Sequence, residues 1–265
     1  MPKLGSPRSI VITGASSGLG AGLTLSYAAP GRHLALTGRN AARLEEVAVR
    51  ARTRGATVTA LVIDVSDPIA MNSFLEDFDR AHPIDLLIAN AGITSGTSPD
   101  RTLESLDAAR EVIAINLGGI LNSVIPAIDL MRARGHGHIA LIGSVAAYRG
   151  LPDSPAYCAS KAGVRIYGES LRPALAPFGI RVSVVSPGFF VSPMSERYLG
   201  THLLELSLDQ AVARIKRGLD RGLARIVLPR RLGVLLQLAD LIPAWLGDWA
   251  IGRARFRIDP ASKPR

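Results

Sequence analysis

A doubly wound parallel α/β sheet of about seven strands, with helices on both faces, is the fold this 265-residue chain predicts. Three observations carry that expectation. Short apolar, β-branched runs alternate with stretches of helical period from residue 9 to residue 228. Most of those runs are hydrophobic without strict alternation, as strands covered on both faces should be. A glycine-rich turn, Thr13-Gly14-Ala15-Ser16-Ser17-Gly18-Leu19-Gly20, then joins the first run to the first helical stretch.

The strands fall at 9–13, 33–37, 57–63, 84–89, 138–143 and 181–186, with a seventh at 224–228. Helices occupy the intervals near 19–29, 41–54, 67–81, 104–133, 155–177 and 207–220. The third helix opens at Ser66-Asp67-Pro68, a good start because proline lacks an N–H that would be unpaired there anyway. Segments 92–101 and 189–206 read as loops at the strand ends where such sheets bind ligands.

No linker, repeat or low-complexity tract divides the chain, so it reads as a single domain over 1–265 whose last part, 229–265, is an apolar and basic extension. A hydrophobic fraction of 48% is ample for a buried core. One cysteine, Cys158, rules out an internal disulfide and fits a reducing compartment. The first nine residues lack an apolar signal core, which fits a cytoplasmic protein. The formal charge of +9 and isoelectric point near 10.4 raise the question of nucleic acid. The arginines scatter over helix faces and gather near the C-terminus without aromatics to stack bases, so no nucleic-acid partner is expected. The five histidines show no metal-ligand spacing, and no metal site is expected.

The chemistry concentrates in Tyr157 and Lys161, four apart on one helix face. A neighbouring cation favours phenolate and draws the phenol down from about 10 toward neutrality. Such a group exchanges a proton with a carbonyl or alcohol oxygen. Ser144 stands thirteen residues before the tyrosine. Asn116 lies mid-helix, where a buried amide needs partners. The glycine turn lets backbone approach a pyrophosphate at a helix N-terminus. Arg39 ends the second strand where no acidic residue stands, which suits a 2′-phosphate.

Thr13-Gly14-x-x-x-Gly18-x-Gly20, then Asn116, Ser144 and Tyr157-x-x-x-Lys161, resemble the short-chain dehydrogenase/reductase family over nearly the whole chain. The resemblance implies a Rossmann-type fold and an enzyme that interconverts a ketone and a secondary alcohol with NADP(H), reduction being the favoured direction. It assigns Tyr157 as proton donor, Ser144 to the substrate oxygen, Lys161 to the nicotinamide ribose, and Asn116 to a water on a proton relay. Cofactor contacts fall on Thr13, Gly14, Ser16, Ser17, Gly18, Leu19 and Gly20. They continue through Arg39, Asp64 and Val65 at the adenosine, then Asn90, Ala91 and Gly92. Tyr157, Lys161, Pro187, Gly188 and Ser192 serve the nicotinamide side. Ser17 stands where many NADP-dependent members carry a basic residue, so NAD(H) stays open. A homodimer or homotetramer through the long helices is implied. Two rivals remain: a non-catalytic dinucleotide sensor or scaffold on the same fold, and a sugar-nucleotide epimerase or dehydratase.

The extension runs from Arg230-Arg231 through an apolar stretch to Arg253, Arg255 and Arg257. Asp240, Pro243 and Asp248 interrupt that stretch, which disfavours a membrane span. Two amphipathic helices with Trp245 and Trp249 on one face fit better. That face covers the substrate cleft, meets a partner subunit, or makes a peripheral membrane contact through 230–257. Each version points to a lipophilic, keto-lipid or ketoacyl-like substrate, and similar tails occur among family members resembling ketosphinganine reductases.

Overall fold

The computed structural model describes residues 6–96, 103–190, 198–199 and 205–229, with 231, 242–243, 245, 248 and 257–258 beyond them. The chain runs β1 (Ser9–Ile12), α1 (Gly18–Tyr27), β2 (His33–Gly38), α2 (Ala41–Arg52), β3 (Thr57–Val62), α3 (Pro68–Ala81) and β4 (Leu86–Ala89). It continues with α4 (Leu106–Ile113), a π-helical turn (Ala114–Gly118), α5 (Gly119–Arg134), β5 (Gly137–Ile142), α6 (Pro155–Leu175) and β6 (Ile180–Pro187). The last elements are β7 (Tyr198–Leu199), α7 (Leu208–Asp220), β8 (Arg225–Leu228) and β9 (Arg257–Ile258).

Seven strands form one sheet in the order β3-β2-β1-β4-β5-β6-β8, every pair parallel. The expected doubly wound architecture is therefore present. On one face Leu19, Leu23 and Tyr27 of α1, Leu44 and Val47 of α2, and Val212, Ile215 and Leu219 of α7 pack against Ile10, Ile12, Leu34 and Leu36. On the other, Met71, Phe74 and Phe78 of α3, Ile120 and Val124 of α5, and Val164 of α6 pack against Val11, Leu87, Ile139 and Leu141. Successive side chains of one strand thus enter opposite cores, which is why the strand sequences are apolar throughout. The edge strand β3 is the exception, with Leu61 and Val62 half exposed.

Local chemistry sets the boundaries. Asp67 accepts from the N–H groups of Ile69 and Ala70 and caps α3, with Pro68 in the first turn. Gly135, at φ 72°, ends α5 in the left-handed region. The fourth strand starts two residues later than its apolar run predicts. Asp79 takes the Ile84 N–H at 2.8 Å and Arg134 donates to the Ile84 carbonyl at 2.8 Å, so both backbone groups are diverted from the ladder. The helix expected over 104–133 is interrupted by the π-helical turn around Asn116. Such turns add one residue to the helical repeat and cluster at functional sites. By length and composition Leu106–Arg134 could cross a bilayer, but its apolar side packs on α3 and the sheet. A two-stranded antiparallel ribbon, β7 with β9, joins the segment after β6 to the C-terminal extension, a pairing the sequence pattern does not foretell.

Candidate active site

Strand order reverses between β2-β1 and β1-β4, and a crevice opens there at the carboxyl ends of the strands. Thr13 holds its two sides together. Its hydroxyl oxygen accepts from Asn90 N–H at 3.0 Å and Ala91 N–H at 3.1 Å, while Asn90 Nδ2 donates to the carbonyls of Thr13 and Gly14 at 2.9 and 3.2 Å. Thr13 and Asn90 therefore shape the crevice floor as much as they line it.

The glycines have steric reasons that the sequence only hints at. A Cβ on Gly14, whose φ is +65°, would sit 2.7 Å from Ala91 Cα, and one on Gly20 would sit 2.1 Å from the Gly14 carbonyl oxygen. Gly18 also takes a positive φ, 51°. The turn therefore closes tightly and delivers the N-terminus of α1 into the crevice. Ser17 precedes α1 without a side-chain cap bond, and the first turn carries no acidic residue. Its leading N–H groups are left for an external anion such as a pyrophosphate. The residues present fit a dinucleotide on this ground. Leu19 points into the core, so only its main chain can serve a cofactor. Ser16 Oγ lies against Gly38, 3.0 Å from where a Cβ would stand, at the end of β2.

At the far end of the crevice Arg39 stands 3.8 Å from Asp64 and 3.8 Å from Glu111, all about half exposed. Burial raises the Asp64 carboxyl, but two hydrogen bonds from Ser66 and the Arg39 charge together hold it below its ordinary value. Val65 faces inward against Gly119, where a Cβ would come within 2.5 Å of it, and its carbonyl accepts from Asn122. Sequence reading did not anticipate Glu111, which carries no motif of its own.

The catalytic candidates converge on the N-terminal half of α6. Lys161 is buried at 5% exposure and donates to the Ile142 carbonyl at 3.0 Å. Its Nζ lies 5.8 Å from the centre of the Tyr157 ring. Burial pushes the Lys161 ammonium down to about 8. Ser144 Oγ accepts from Ala146 N–H at 3.1 Å in a short 3-10 turn, a bond that leaves the hydroxyl hydrogen to donate to a reacting oxygen. Gly92 closes the group; a Cβ there would meet Asn116 Oδ1 at 3.1 Å and Lys161 Nζ at 3.4 Å.

Asn116 is fully buried. Its Oδ1 accepts from Ile93 N–H at 2.8 Å, and its Nδ2 donates to the Ile93 carbonyl and to Ser160 Oγ, both at 3.0 Å. Ser160 in turn donates to the Tyr157 carbonyl at 2.7 Å. Both amide hydrogens are spent on protein groups, so the side chain acts as a brace, and a water relay at this position would draw on its main chain. Ser160 is a participant the sequence reading missed; its signal was a polar residue three positions after Tyr157, on the tyrosine's own face. Cys158 turns away and accepts from Leu151 N–H at 3.3 Å, in keeping with a packing role. On that opposite face of α6, with Pro155, Cys158, Ala159 and Ala162, lies a cavity of about 660 Å³.

On the remaining side Pro187 ends β6 opposite Leu228, and the Gly188 N–H donates to the Leu228 carbonyl at 2.6 Å. Ser192 lies outside the described residues, as does Trp249.

A phenol beside a buried ammonium, a serine hydroxyl free to donate and a glycine-lined crevice that fits a dinucleotide are the features of a nicotinamide-dependent oxidoreductase. The comparisons with known proteins agree. The family model described as short chain dehydrogenase matches residues 8–201. An uncharacterized oxidoreductase of Mycobacterium tuberculosis is 39% identical over 226 residues, covering 83% of this chain and 87% of its own. A short-chain dehydrogenase from Sphingobium yanoikuyae, solved with NADPH, superposes with a TM-score of 0.78 at 25% identity, covering 97% of this chain and 99% of that one. One from Burkholderia phymatum, solved with NAD, superposes at 0.80 with 21% identity, covering 99% and 100%, a likeness of fold. The chain belongs to the short-chain dehydrogenase/reductase family. It is an oxidoreductase acting between CH–OH and C=O with a nicotinamide dinucleotide.

Proposed function

We propose that this enzyme uses NADP(H) and works mainly as a reductase of a lipophilic ketone. The observation that carries the reading is the buried Lys161 beside Tyr157, with Ser144 and Asn116 ordered around them. A charge is costly in such a place, and one held there beside a phenol marks a candidate functional site. A nicotinamide, when bound, would supply the hydride to the carbonyl carbon. Tyr157 gives the carbonyl oxygen its proton, and Ser144 donates a hydrogen bond to that oxygen as negative charge builds on it. Lys161 stabilises the phenolate left behind and holds the ribose.

Arg39 supports the NADP(H) preference. Its ion pairs with Asp64 and Glu111 are long and half exposed, so a 2′-phosphate competes for it readily. Phe189 and Phe190, partly buried just after β6, support an apolar substrate wall, although Phe190 also packs against the core. Exposed Leu106, Ile113 and Ile125 on α4 and α5, with Ile166 on α6, support a homodimer or homotetramer through these helices. We place the protein in the cytoplasm. Trp245, 72% exposed, supports a peripheral membrane contact by the extension.

The test is NADPH oxidation with matched short-chain and long-chain keto substrates, alongside Tyr157→Phe and Arg39→Ala. Tyr157→Phe is expected to lose about 10²–10⁴-fold in turnover with cofactor affinity nearly intact. Comparable turnover in that variant refutes the assignment of Tyr157, whereas a wild-type protein that binds NADPH but turns over none of these substrates would favour the sensor reading. Arg39→Ala is expected to weaken NADPH by about 10-fold and NADH by far less; equal losses would remove the NADP(H) preference.

A further inference from the structure

Helix α6 has no adequate cap of its own. Ser154 stands at its N-cap but makes no side-chain cap bond, its hydroxyl is buried without a partner, and the first turn carries no acidic residue. Pro155 has no N–H to offer, so the first donor of the helix is Ala156, immediately before Tyr157. That N–H is taken at 2.6 Å by Glu104 Oε1, a residue 52 positions away that precedes α4. The other oxygen, Oε2, accepts from Ser95 Oγ. Ser95 lies in the stretch after β4 that begins Asn90-Ala91-Gly92-Ile93 and is fixed at Ile93 by the Asn116 amide.

We propose that Glu104 is a positioning residue for the reaction: one carboxylate ties the start of the catalytic helix to the substrate-side segment and so sets Tyr157 against the crevice. The role rests on the reading of Tyr157 as proton donor.

Three features support it. A carboxylate at a helix N-terminus is favoured by the exposed N–H groups and the helix dipole, and charge-assisted bonds are about twice as strong as neutral ones. The carboxylate reaches the immediate neighbourhood of the tyrosine: burial raises the Cys158 thiol, and Glu104 raises it further. The same two segments are also joined through Asn116 and Ser160, one turn deeper in the helix. Glu104 and Asn116 thus brace the same segment at Ser95 and Ile93, and hold α6 at Ala156 and Ser160. Displacements of about 1 Å in a reacting group cost up to about 10²-fold in rate, so a loosened N-terminal turn is expected to show in catalysis before it shows in the fold.

The experiment compares Glu104→Ala and Glu104→Gln with wild type, in kcat, KM for the carbonyl substrate, NADPH affinity, Tm, and backbone hydrogen exchange over 152–160 in the cofactor-free protein. Glu104→Ala is expected to lower kcat by about 10-fold and raise KM by about 3-fold. Cofactor affinity should stay within about 2-fold, because the glycine cradle is untouched, and exchange in the first turn of α6 should quicken. Glu104→Gln keeps the reach and an acceptor oxygen, and should recover most of the loss. Wild-type kcat and KM in Glu104→Ala, with only Tm lowered, would overturn the proposal, as would Glu104→Gln behaving no better than Glu104→Ala. A wild-type protein that reduces no carbonyl would instead bring down the functional reading, and unchanged exchange in Glu104→Ala would then overturn the tether independently of turnover.

Discussion

Replacing Lys161 by methionine is expected to make the protein more stable and catalytically dead. The ammonium is buried at 5% exposure and donates to the Ile142 carbonyl at 3.0 Å. Burial moves its pKa from 10.5 to about 8, which at about 1.4 kcal/mol per pH unit amounts to about 3 kcal/mol of destabilisation while the group is charged. Methionine keeps the length and removes the charge, but forfeits the bond to Ile142, at about 1 kcal/mol. The net gain near neutral pH is about 2 kcal/mol, or a rise in Tm of roughly 4–8 °C for a chain of this size. The pH dependence fixes the cause. Below about pH 8 the lysine is charged in both folded and unfolded chains, so the cost is felt in full. Between about 8 and 10.5 the unfolded chain retains a proton that the folded one has released, and wild-type stability rises relative to the variant. Above about 10.5 only the missing hydrogen bond separates them, and the variant becomes the weaker by about 1 kcal/mol. Thermal unfolding of both cofactor-free proteins from pH 6 to about 11 reads this directly. A variant less stable than wild type at pH 7, or a difference that does not change with pH, would refute the reasoning.

Two further outcomes follow from groups outside the catalytic set. His138, on β5, is buried with Nε2 2.8 Å from Ser183 Oγ, and burial first, then Arg181, depresses it from 6.5 to about 4 despite an opposing pull from Asp220. The unfolded chain therefore takes up this proton first as pH falls. About 3 kcal/mol of stability should be lost between about pH 6.5 and 4, and denaturant titrations should show a flatter acid limb in His138→Gln; an unchanged limb would exclude the histidine. Gly20→Ala places a Cβ 2.1 Å from the Gly14 carbonyl and 2.7 Å from Asn90 Nδ2. It should cost about 3 kcal/mol or more and weaken cofactor binding at least 10-fold, measured by chemical unfolding and nicotinamide fluorescence; wild-type affinity would show that the turn has room.

The local patterns carried most of the fold. Apolar runs without alternation placed the seven strands of the sheet, because a strand covered on both faces needs apolar residues at every position. Where the pattern failed, side chains from elsewhere had intervened. The apolar run at 84–89 reads as strand throughout, yet Asp79 and Arg134 claim the backbone of Ile84. The stretch 104–133 reads as one helix, yet it takes a π-helical turn around Asn116, whose amide is committed to Ile93 and Ser160. Leu19 sits inside the glycine motif, but its side chain belongs to the core.

By itself the sequence determined the chemistry that short spacings encode. Tyr157 and Lys161 share a helix face because they are four apart, and the spacing of Gly14, Gly18 and Gly20 marks the tight turn into α1. The tertiary structure alone decided what lies across large separations. Glu104 meets Ala156 at a distance of 52 residues, and Arg39 meets Glu111 on α4. Neither acid belongs to a motif, since a single carboxylate in a loop or on a helix looks like any solvated charge until the fold brings a donor to it. Local periodicity reports only which face of an element is apolar; partners on separate elements are chosen by how the sheet stacks those elements, and that choice leaves no mark in the neighbouring residues.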